Sequence, residues 1–336
     1  MKTQELLNVL EKVRPGLANK DMIEQATSFA FMDDKVVTFN DEISISHKLT
    51  GMNLTGAVKA EELYKFLAKV KTEEIELTTV ENEIRIKSGK AKVGLTIESE
   101  IKLPLSELGE ITKWSKLPED FLSSLEIVRF CCSKDMSRPI LTCVNIRKDG
   151  VMEACDNYRA IRFQMKSKCP LTFLLPASSA NTLVGYQVSM IAASPGWVHF
   201  ADKEKALIFS CRVYSEEYNN LDANFILNDS IPFTFPKESL DILDRAQIFS
   251  KGDIFIDQQV QVAVEGKRLF FRVKKAGSWF EEWIKVTDIP PFATSVHPQF
   301  LQDILKLNST CEIAPGKMMK FTGENWQHVA AMSTAI

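Results

Sequence analysis

Two runs of alternating apolar and polar residues meet in the stretch Ala154-Cys155-Asp156-Asn157-Tyr158-Arg159-Ala160-Ile161-Arg162-Phe163. Asp156 and Asn157 interrupt the alternation at its centre. Both residue types tolerate positive φ, so the pattern predicts a β-hairpin with a two-residue turn. Taken alone, the stretch indicates an ordinary hairpin.

The same pattern recurs along the chain. Residues 34–45 align with it without gaps, with Val36 on Val151 and Asp41 on Asp156. A looser third copy covers residues 265–273. Three copies, spaced by about one third of the chain, predict a triplicated domain.

Apolar periodicity supports the repeat. In the first copy it predicts helices over 3–13 and 59–70 and strands over 28–32, 36–39, 43–46, 74–78, 83–87 and 92–97. The order restarts at Pro118 and at Pro236, and the second helix recurs over 298–307 and, more faintly, over 176–186. We therefore predict an α+β protein of three similar helix-strand-helix-strand domains, covering 1–112, 113–228 and 229–336. The joins, 108–117 and 221–230, are short.

Composition limits the functional classes. The chain has 336 residues, of which 45% are hydrophobic and 25% charged, as in soluble globular proteins. It has no apolar run long enough to span a membrane and no apolar N-terminal stretch typical of a signal peptide, and its seven cysteines, an odd number without CxxC pairs, fit a reducing cytosol. These features predict a cytoplasmic protein without a membrane partner. The net charge of −3 argues weakly against nucleic acid, unless positive charge is gathered on one surface.

The sequence contains no recognisable catalytic or metal-binding pattern. It lacks a phosphate-binding P-loop and a Gly-x-Gly-x-x-Gly fingerprint, and its four histidines are scattered singly. The adjacent Cys131 and Cys132 point in different directions, and we expect them to be packing residues on the first helix of the middle copy. We therefore predict no catalytic residues, no metal and no cofactor, and a scaffold rather than an enzyme.

Several segments resemble bacterial-type DNA sliding clamps, the beta subunit family of DNA polymerase III. Residues 155–160, Cys-Asp-Asn-Tyr-Arg-Ala, correspond to that family's Thr-Asp-Gly-(His/Tyr)-Arg-Leu. Residues 41–46 resemble its Asp-Leu-Glu-Ile-Ser segment, residues 137–142 its Arg-Pro-x-Leu-Thr segment, and residues 217–221 its Tyr/Phe-Pro-Asp-Tyr segment. Residues 328–336 stand where the family ends in Val-Val-Met-Pro-Met-Arg-Leu. The resemblance covers the whole chain in order and spacing.

The chain also departs from the family at recognisable places. Asn157 replaces a glycine, Ala160 replaces a leucine of the partner pocket, and Ser333-Thr334-Ala335 replaces Pro-Met-Arg. The small Ala160 and Thr334 suggest a wider pocket with a different preferred anchor. Such divergence is compatible with a phage or another mobile replicon, which would place the chain in the cytoplasm of a bacterium or of a phage-infected host.

The resemblance implies that two subunits form a closed ring whose helices surround duplex DNA without reading bases. The implied partners are double-stranded DNA, the replicative polymerase, a clamp loader and a second copy of the chain. The basic residues of the helix-rich segments would line the hole: Lys12, Arg14, Lys20, Lys65, Lys69, Lys71, Arg129, Lys134, Arg245, Lys251 and Lys306. The alternative is that helices ordinarily carry lysines on their solvent-facing side.

The resemblance also implies two interfaces. Ring closure would join Val93 and Leu95 to Ile248 and Phe249, although Ile248 is also compatible with a domain core. A groove for linear partner peptides would be lined by Leu141, Cys155, Asn157, Tyr158, Arg159, Ala160, Asn219, Ala223, Asn224, Ala330, Met332, Ser333, Thr334 and Ile336. In it, Arg159 would meet a peptide carboxylate or carbonyl. The alternative for the tail residues is a disordered end.

A second function from another class stays open at this point. A triplicated protein-interaction scaffold, presenting its sheets to another protein without encircling DNA, has the same repeats and the same lack of catalytic residues.

Overall fold

The computed structural model describes residues 1–32, 34–52, 54–252, 258–287 and 289–334. Short helices lie against antiparallel sheets, which confirms the predicted α+β class. The chain divides into two compact units, one made of 1–122 with 169–215 and the other of 123–168 with 216–336. The predicted domain boundaries stay a prediction.

The helices are α1 (Thr3–Val13), α2 (Ala60–Leu67), α3 (Phe121–Val128), α4 (Ala177–Leu183), α5 (Ser239–Ser250) and α6 (Pro298–Leu305). In α1, Leu6, Leu10 and Val13 form a fully buried stripe, and Pro15 follows the last turn. The predicted bounds of α1 are confirmed, whereas the other predicted helices are shorter at one or both ends. Cys131 and Cys132 are buried as expected, but Cys131 ends the 3₁₀ turn after α3 and Cys132 follows that turn, so neither lies on the helix.

The strands in chain order are β1 (Ser28–Met32), β2 (Lys35–Phe39), β3 (Ile43–Lys48), β4 (Gly56–Lys59), β5 (Glu76–Val80), β6 (Glu83–Ser88), β7 (Ala91–Glu98), β8 (Ser115–Lys116), β9 (Cys143–Ile146), β10 (Val151–Cys155), β11 (Arg159–Gln164), β12 (Phe173–Pro176), β13 (Met190–Ser194), β14 (Trp197–Ala201), β15 (Leu207–Arg212), β16 (Ile231–Thr234), β17 (Val260–Glu265), β18 (Arg268–Lys275), β19 (Ser278–Lys285), β20 (Phe292–Val296), β21 (Thr310–Ala314), β22 (Met318–Thr322), β23 (Trp326–Ala331) and β24 (Ser333–Thr334). The strands predicted in the first copy are all present, and β1 has the predicted bounds.

In the first unit, one antiparallel sheet runs in the order β5-β6-β7-β4-β1-β2-β3-β15-β14-β13-β8. It becomes continuous through the pairing of β3 with β15, where Ile45 faces Phe209. Both side chains are fully buried. Burial of matched apolar residues fixes this register, because a slip of one residue would expose them.

In the second unit, one sheet contains the run β9-β10-β11-β23-β22-β21-β16, and another runs β19-β18-β17-β20-β24. Strand β11 pairs with β23, so that Arg159 lies opposite Ala330 and Ala160 opposite Val329. This pairing brings the central hairpin of the sequence beside the last long strand.

The prediction of a two-residue turn at Asp156-Asn157 is wrong. The last ladder pair is Cys155 with Ala160, and the Asp156 N–H donates to the Arg159 carbonyl at 3.0 Å. The Asp156 carboxylate accepts the N–H groups of Tyr158 and Arg159, each at 2.8 Å. Because the side chain closes the turn, the backbone does not need positive φ, which occurs instead at Asp41 of the first copy.

None of the helices in the described part of the chain is long and apolar enough to cross a membrane. Within the same residues, no three His, Cys, Asp or Glu side chains are placed to hold a metal ion.

Candidate functional site

The predicted groove residues of the second unit divide between two places. Leu141, Cys155 and Ala160 meet Val329 in an apolar cluster, in which each is only 3–6% exposed. Leu221 and Phe225, from the segment 216–226, complete it. Sequence and structure therefore agree that these three predicted residues lie together, but they form a closed cluster.

Tyr218 packs against this cluster and was not among the predicted groove residues. Its hydroxyl oxygen accepts the Cys155 N–H at 2.9 Å, and its hydroxyl lies 3.4 Å from the Cys155 Sγ as a donor. Burial raises the pKa of Tyr218 far above its ordinary value, so the hydroxyl stays protonated. Tyr218 and Phe225 pack into the cluster that contains Ala160, and the expectation of a wider pocket beside Ala160 stays a prediction.

The second place is an open cavity of about 200 Å³. Its lining includes the predicted residues Tyr158, Met332 and Ser333, together with Gln259, Ser295, Val296, His297, Phe300 and Ala331. Tyr158 stacks on Phe300 with ring centroids 6.2 Å apart, and the Tyr158 carbonyl accepts the Ala331 N–H at 2.7 Å. The cavity therefore has an aromatic and aliphatic floor held by the hairpin turn.

Polar groups stand at the rim of this cavity. The Ser333 hydroxyl donates to Gln259 Oε1 at 2.7 Å. Behind the lining, the fully buried Thr294 hydroxyl donates to Met332 Sδ at 3.3 Å. Burial lowers the pKa of His297 to about 4, so its imidazole is neutral at ordinary pH. A concave apolar surface with a few polar groups is suited to one apolar side chain and the backbone beside it.

Arg159 does not face the cavity with free hydrogen-bond donors. Its guanidinium donates to Asp156 at 3.1 Å, to Asp303 at 2.8 Å and to the Phe130 carbonyl at 2.6 Å. It also lies 4.2 Å from the centroid of the Phe300 ring. The expectation that Arg159 meets a peptide carboxylate is therefore corrected: the residue supports the turn and the cavity floor from below.

The remaining predicted groove residues surround these two places. The exposed ones are Asn157, Asn219, Ala223, Asn224 and Thr334. Ala330 is buried, and Ile336 lies outside the described residues. Asn157 accepts a hydrogen bond from Arg138 at 3.0 Å. Arg162 ties Asp222 to the buried Glu153, which fixes the segment 216–226 on the strand surface.

The predicted DNA-facing residues are nearly all exposed. In the first unit these are Lys12, Arg14, Lys20, Lys65, Lys69 and Lys71. Lys12 Nζ lies 3.2 Å from His47 Nε2, and Arg14 lies over the Tyr64 ring at 4.5 Å. Lys65 forms an ion pair with Glu61. Acidic residues therefore share this helix surface.

In the second unit, the exposed residues of the set are Lys134, Arg245, Lys251 and Lys306, whereas Arg129 is half-buried. Arg245 donates to both carboxylate oxygens of Glu282, at 2.7 and 2.9 Å, and this pairing raises its pKa. The positive charge of Arg245 is therefore partly compensated.

The predicted interface residues lie at two open strand edges. Residues 91–96 of β7 pair with β6, but β4 pairs with β7 only at Ile97 and Glu98. Val93 and Leu95 are half-buried. They lie in the part of β7 that pairs with β6 on one side and, among the described residues, with no strand on the other side.

The second edge is β19, at the end of its sheet in the second unit. Ile248 beside it is 65% exposed, so the core alternative for this residue is excluded. Phe249 stacks on Phe280 of β19, with centroids 5.6 Å apart. The sequence did not single out Trp279 and Trp283 of the same strand, which are 73% and 47% exposed. Apolar side chains exposed along an unpaired edge mark an association surface.

Comparison with solved structures identifies the fold. The chain superposes on the DNA polymerase III beta chain of Streptococcus pneumoniae with a TM-score of 0.84 at 16% identity, covering 99% of this chain and 98% of that one. It matches the sliding clamp of Bacillus subtilis with a TM-score of 0.82 at 17% identity, covering 100% and 98%. A sliding clamp of Bartonella birtlesii bound to griselimycin gives 0.83 at 15% identity, covering 100% and 98%.

No family model and no curated protein matches the sequence. The chain has the sliding-clamp fold from one end to the other, which confirms the predicted fold class.

Proposed function

We propose that this chain is a DNA sliding clamp, a non-enzymatic ring that encircles duplex DNA and tethers the replicative polymerase and other partners to it. The observation that carries the proposal is the extent of the structural match, which covers 98% or more of both chains in each of the three comparisons. On this proposal the chain works on DNA in the cytoplasm.

Ring closure is proposed to join the open flank of β7 in one copy to the edge of β19 in a second copy. Adding one strand to the other satisfies the backbone groups of both edges. A stable dimer requires a large apolar contact area. On the β19 side this area comes from Ile248, Phe249, Trp279 and Trp283, which are proposed to pack on Val93 and Leu95 of the other copy.

Contact with DNA is proposed to come from the exposed lysines of the helix-rich segments. Such contacts reach phosphates and carry no base information, so the ring can move along the duplex. Lys65 and Arg245 contribute less than the others, because Glu61 and Glu282 already neutralise part of their charge.

The groove is proposed to bind linear peptides from the polymerase and the clamp loader. Its anchor point is the open cavity beside Tyr158 and Met332, rather than the closed cluster around Ala160. A volume of about 200 Å³ accommodates one leucine- or phenylalanine-sized side chain. The exposed rim on 216–226 is available to the rest of the peptide.

The test is topological. Purified protein should have about twice the 38.0 kDa chain mass in light scattering. After loading onto a nicked circular plasmid it should stay bound through gel filtration, and it should be released when a restriction enzyme linearises the plasmid. Equal loss from circular and linear DNA would refute encirclement and favour a scaffold without a topological link to DNA.

A further inference from the structure

Each copy of the repeat has a hairpin strand that follows its second helix: β5 after α2, β13 after α4 and β21 after α6. In the second and third copies, a strand that precedes the first helix covers the flank of this hairpin strand that faces away from the hairpin. There β8 pairs with β13, and β16 pairs with β21 from Ile231 opposite Ile313 to Thr234 opposite Thr310. The same flank can therefore be compared in all three copies.

The corresponding flank of β5 is open. Strand β5 lies at the end of its sheet and pairs with β6 on its other side. Ile75 exchanges two backbone hydrogen bonds with Met1, at 3.0 and 3.1 Å, and Lys2 forms a bridge with Glu74. In the part of the chain that the structure describes, no strand continues this pairing along residues 76–80.

The open flank presents backbone hydrogen-bonding groups. The direction of the N–H and C=O groups alternates along an antiparallel strand, so those of Leu77 and Thr79 point to the same flank as those of Ile75. Among the described residues no strand pairs with them there. An open edge of this kind is a template for an added strand.

The third copy shows what a covered edge looks like. Leu77 and Thr79 occupy the hairpin positions of Cys311 and Ile313, because each pair lies opposite two buried residues of the next strand. Cys311 and Ile313 are 4% and 0% exposed, whereas Leu77 is half-buried and Thr79 is exposed. The difference in burial is the one expected from the absence of a covering strand.

The covering strand of the third copy also indicates which side chains fit. Its residues that face those two positions are Phe233 and Ile231, both large and apolar. Beside β5 lies an open cavity of about 730 Å³, whose apolar lining includes Met52, Leu54 and Ile84. An added strand would find room there for two large apolar side chains at alternate positions.

Glutamates surround the open flank. Five lie on and beside β5, and two of them form ion pairs with Lys87 and Arg85 of the same hairpin. The other three are exposed and, within the described residues, have no cation at ion-pair distance: Glu73, Glu74 and Glu81. This excess of negative charge favours a basic occupant.

We propose that the open flank of β5 binds an extended basic segment of a partner protein. The segment adds to the sheet as an antiparallel strand and places two apolar side chains, at alternate positions, in the cavity beside Leu77. A second copy of this chain is disfavoured, because an edge of five residues offers far less than the roughly 1,200 Å² that a stable dimer buries. The site is separate from the peptide cavity of the second unit and does not depend on encirclement of DNA.

The experiment measures binding of the full chain to a fluorescein-labelled synthetic peptide, Lys-Ile-Thr-Phe-Thr-Lys, by anisotropy. This probe keeps the apolar spacing of β16 and adds two lysines. The control peptide Lys-Ile-Phe-Thr-Thr-Lys has the same composition, but its adjacent apolar residues point to opposite faces of a strand. We expect it to bind about tenfold more weakly.

Hydrogen exchange locates the probe on the unmodified protein. The bound peptide should slow exchange of the Leu77 and Thr79 amides, which face the open flank. The Thr78 amide points toward β6 and is already paired, so its exchange rate should not change.

Two variants test the backbone and the charge separately. Thr79→Pro removes one donor on the open flank and leaves the groups that pair with β6, so it should weaken binding about fivefold. Glu74→Lys should also weaken binding about fivefold at low salt, and the difference should shrink as salt is added. Its matched control is Glu204→Lys, at an exposed glutamate between β14 and β15 on the far side of the same sheet, which should bind like the unmodified protein.

Unchanged exchange of the Leu77 and Thr79 amides in the presence of bound peptide would overturn the proposal, as would a lack of saturation below about 1 mM. Weaker binding to Ala331→Trp would place the probe in the cavity of the second unit instead. A lower mass of Thr79→Pro in light scattering would assign the flank to a second copy of the chain. Retention on nicked circles tests the proposed ring independently of all these outcomes.

Discussion

The hydroxyl of Tyr218 is expected to stabilise the second unit, chiefly by accepting a buried backbone hydrogen bond from Cys155. The Cys155 N–H donates to it at 2.9 Å, and Cys155 itself is 6% exposed. Tyr218→Phe keeps the ring in the apolar cluster and removes the hydroxyl, which accepts the Cys155 N–H and donates to the Cys155 Sγ. The Cys155 N–H then stays buried without this partner, which costs about 1–3 kcal/mol.

The matched control is Tyr64→Phe in the first unit. The Tyr64 hydroxyl donates a hydrogen bond to Glu11 at 3.2 Å, but on an exposed surface where water replaces it. Its loss should change the free energy of unfolding by about 0.5 kcal/mol or less. Comparing the two variants therefore separates the effect of burial on the free energy of unfolding from the effect of losing a hydroxyl group.

Two assays measure the effect. Urea unfolding should give a lower midpoint for Tyr218→Phe than for Tyr64→Phe at an unchanged slope, and hydrogen exchange should show faster exchange of the Cys155 amide in Tyr218→Phe alone. Equal midpoints together with an unchanged Cys155 exchange rate would refute the assigned hydrogen bond and, with it, the closed state of the cluster.

Ile248→Ala with Phe249→Ala should halve the mass in light scattering while the circular dichroism spectrum is unchanged; a persistent dimer would contradict the assigned edge. Charge reversal of three exposed lysines should weaken retention on circular DNA, most strongly at low salt, without changing the dimer mass: Lys12, Lys65 and Lys69. Ala331→Trp should fill the cavity and abolish binding of a polymerase peptide in fluorescence anisotropy, and full affinity would place the peptide elsewhere. Burial lowers the pKa of three histidines to about 3 or 4 from an ordinary 6.5: His199, His297 and His328. Because the unfolded chain takes up these protons first, the free energy of unfolding should fall as pH drops from about 6.5 toward 4, and pH-independent urea midpoints over that range would contradict it.

The sequence predicts elements well where local periodicity determines them. The stripe of Leu6, Leu10 and Val13 gives α1 its observed bounds, and a short apolar run gives β1 its bounds. The repeats follow from the same local signals, compared over long offsets. Both signals depend on residues that are close in the chain, which is why they can be read without a structure.

The sequence-based expectations that the structure corrects concern side chains whose partners are far away in the chain. Arg159 pairs with Asp303, 144 positions later, and Tyr218 bonds to Cys155, 63 positions earlier. No local pattern indicates either contact. The turn at Asp156 was mispredicted for a related reason, because a side-chain carboxylate replaces the backbone geometry that residue type alone suggests.

The pairing of β11 with β23 explains why the two parts of the groove differ. Side chains opposite each other in a ladder share a face, and the next pair along occupies the other face. Ala160 and Val329 therefore enter the closed cluster, whereas Arg159 and Ala330 face Phe130, Phe300 and Asp303. Ala160 therefore lies on the face that Tyr218 and Phe225 cover, where their side chains fill the space beside a small residue.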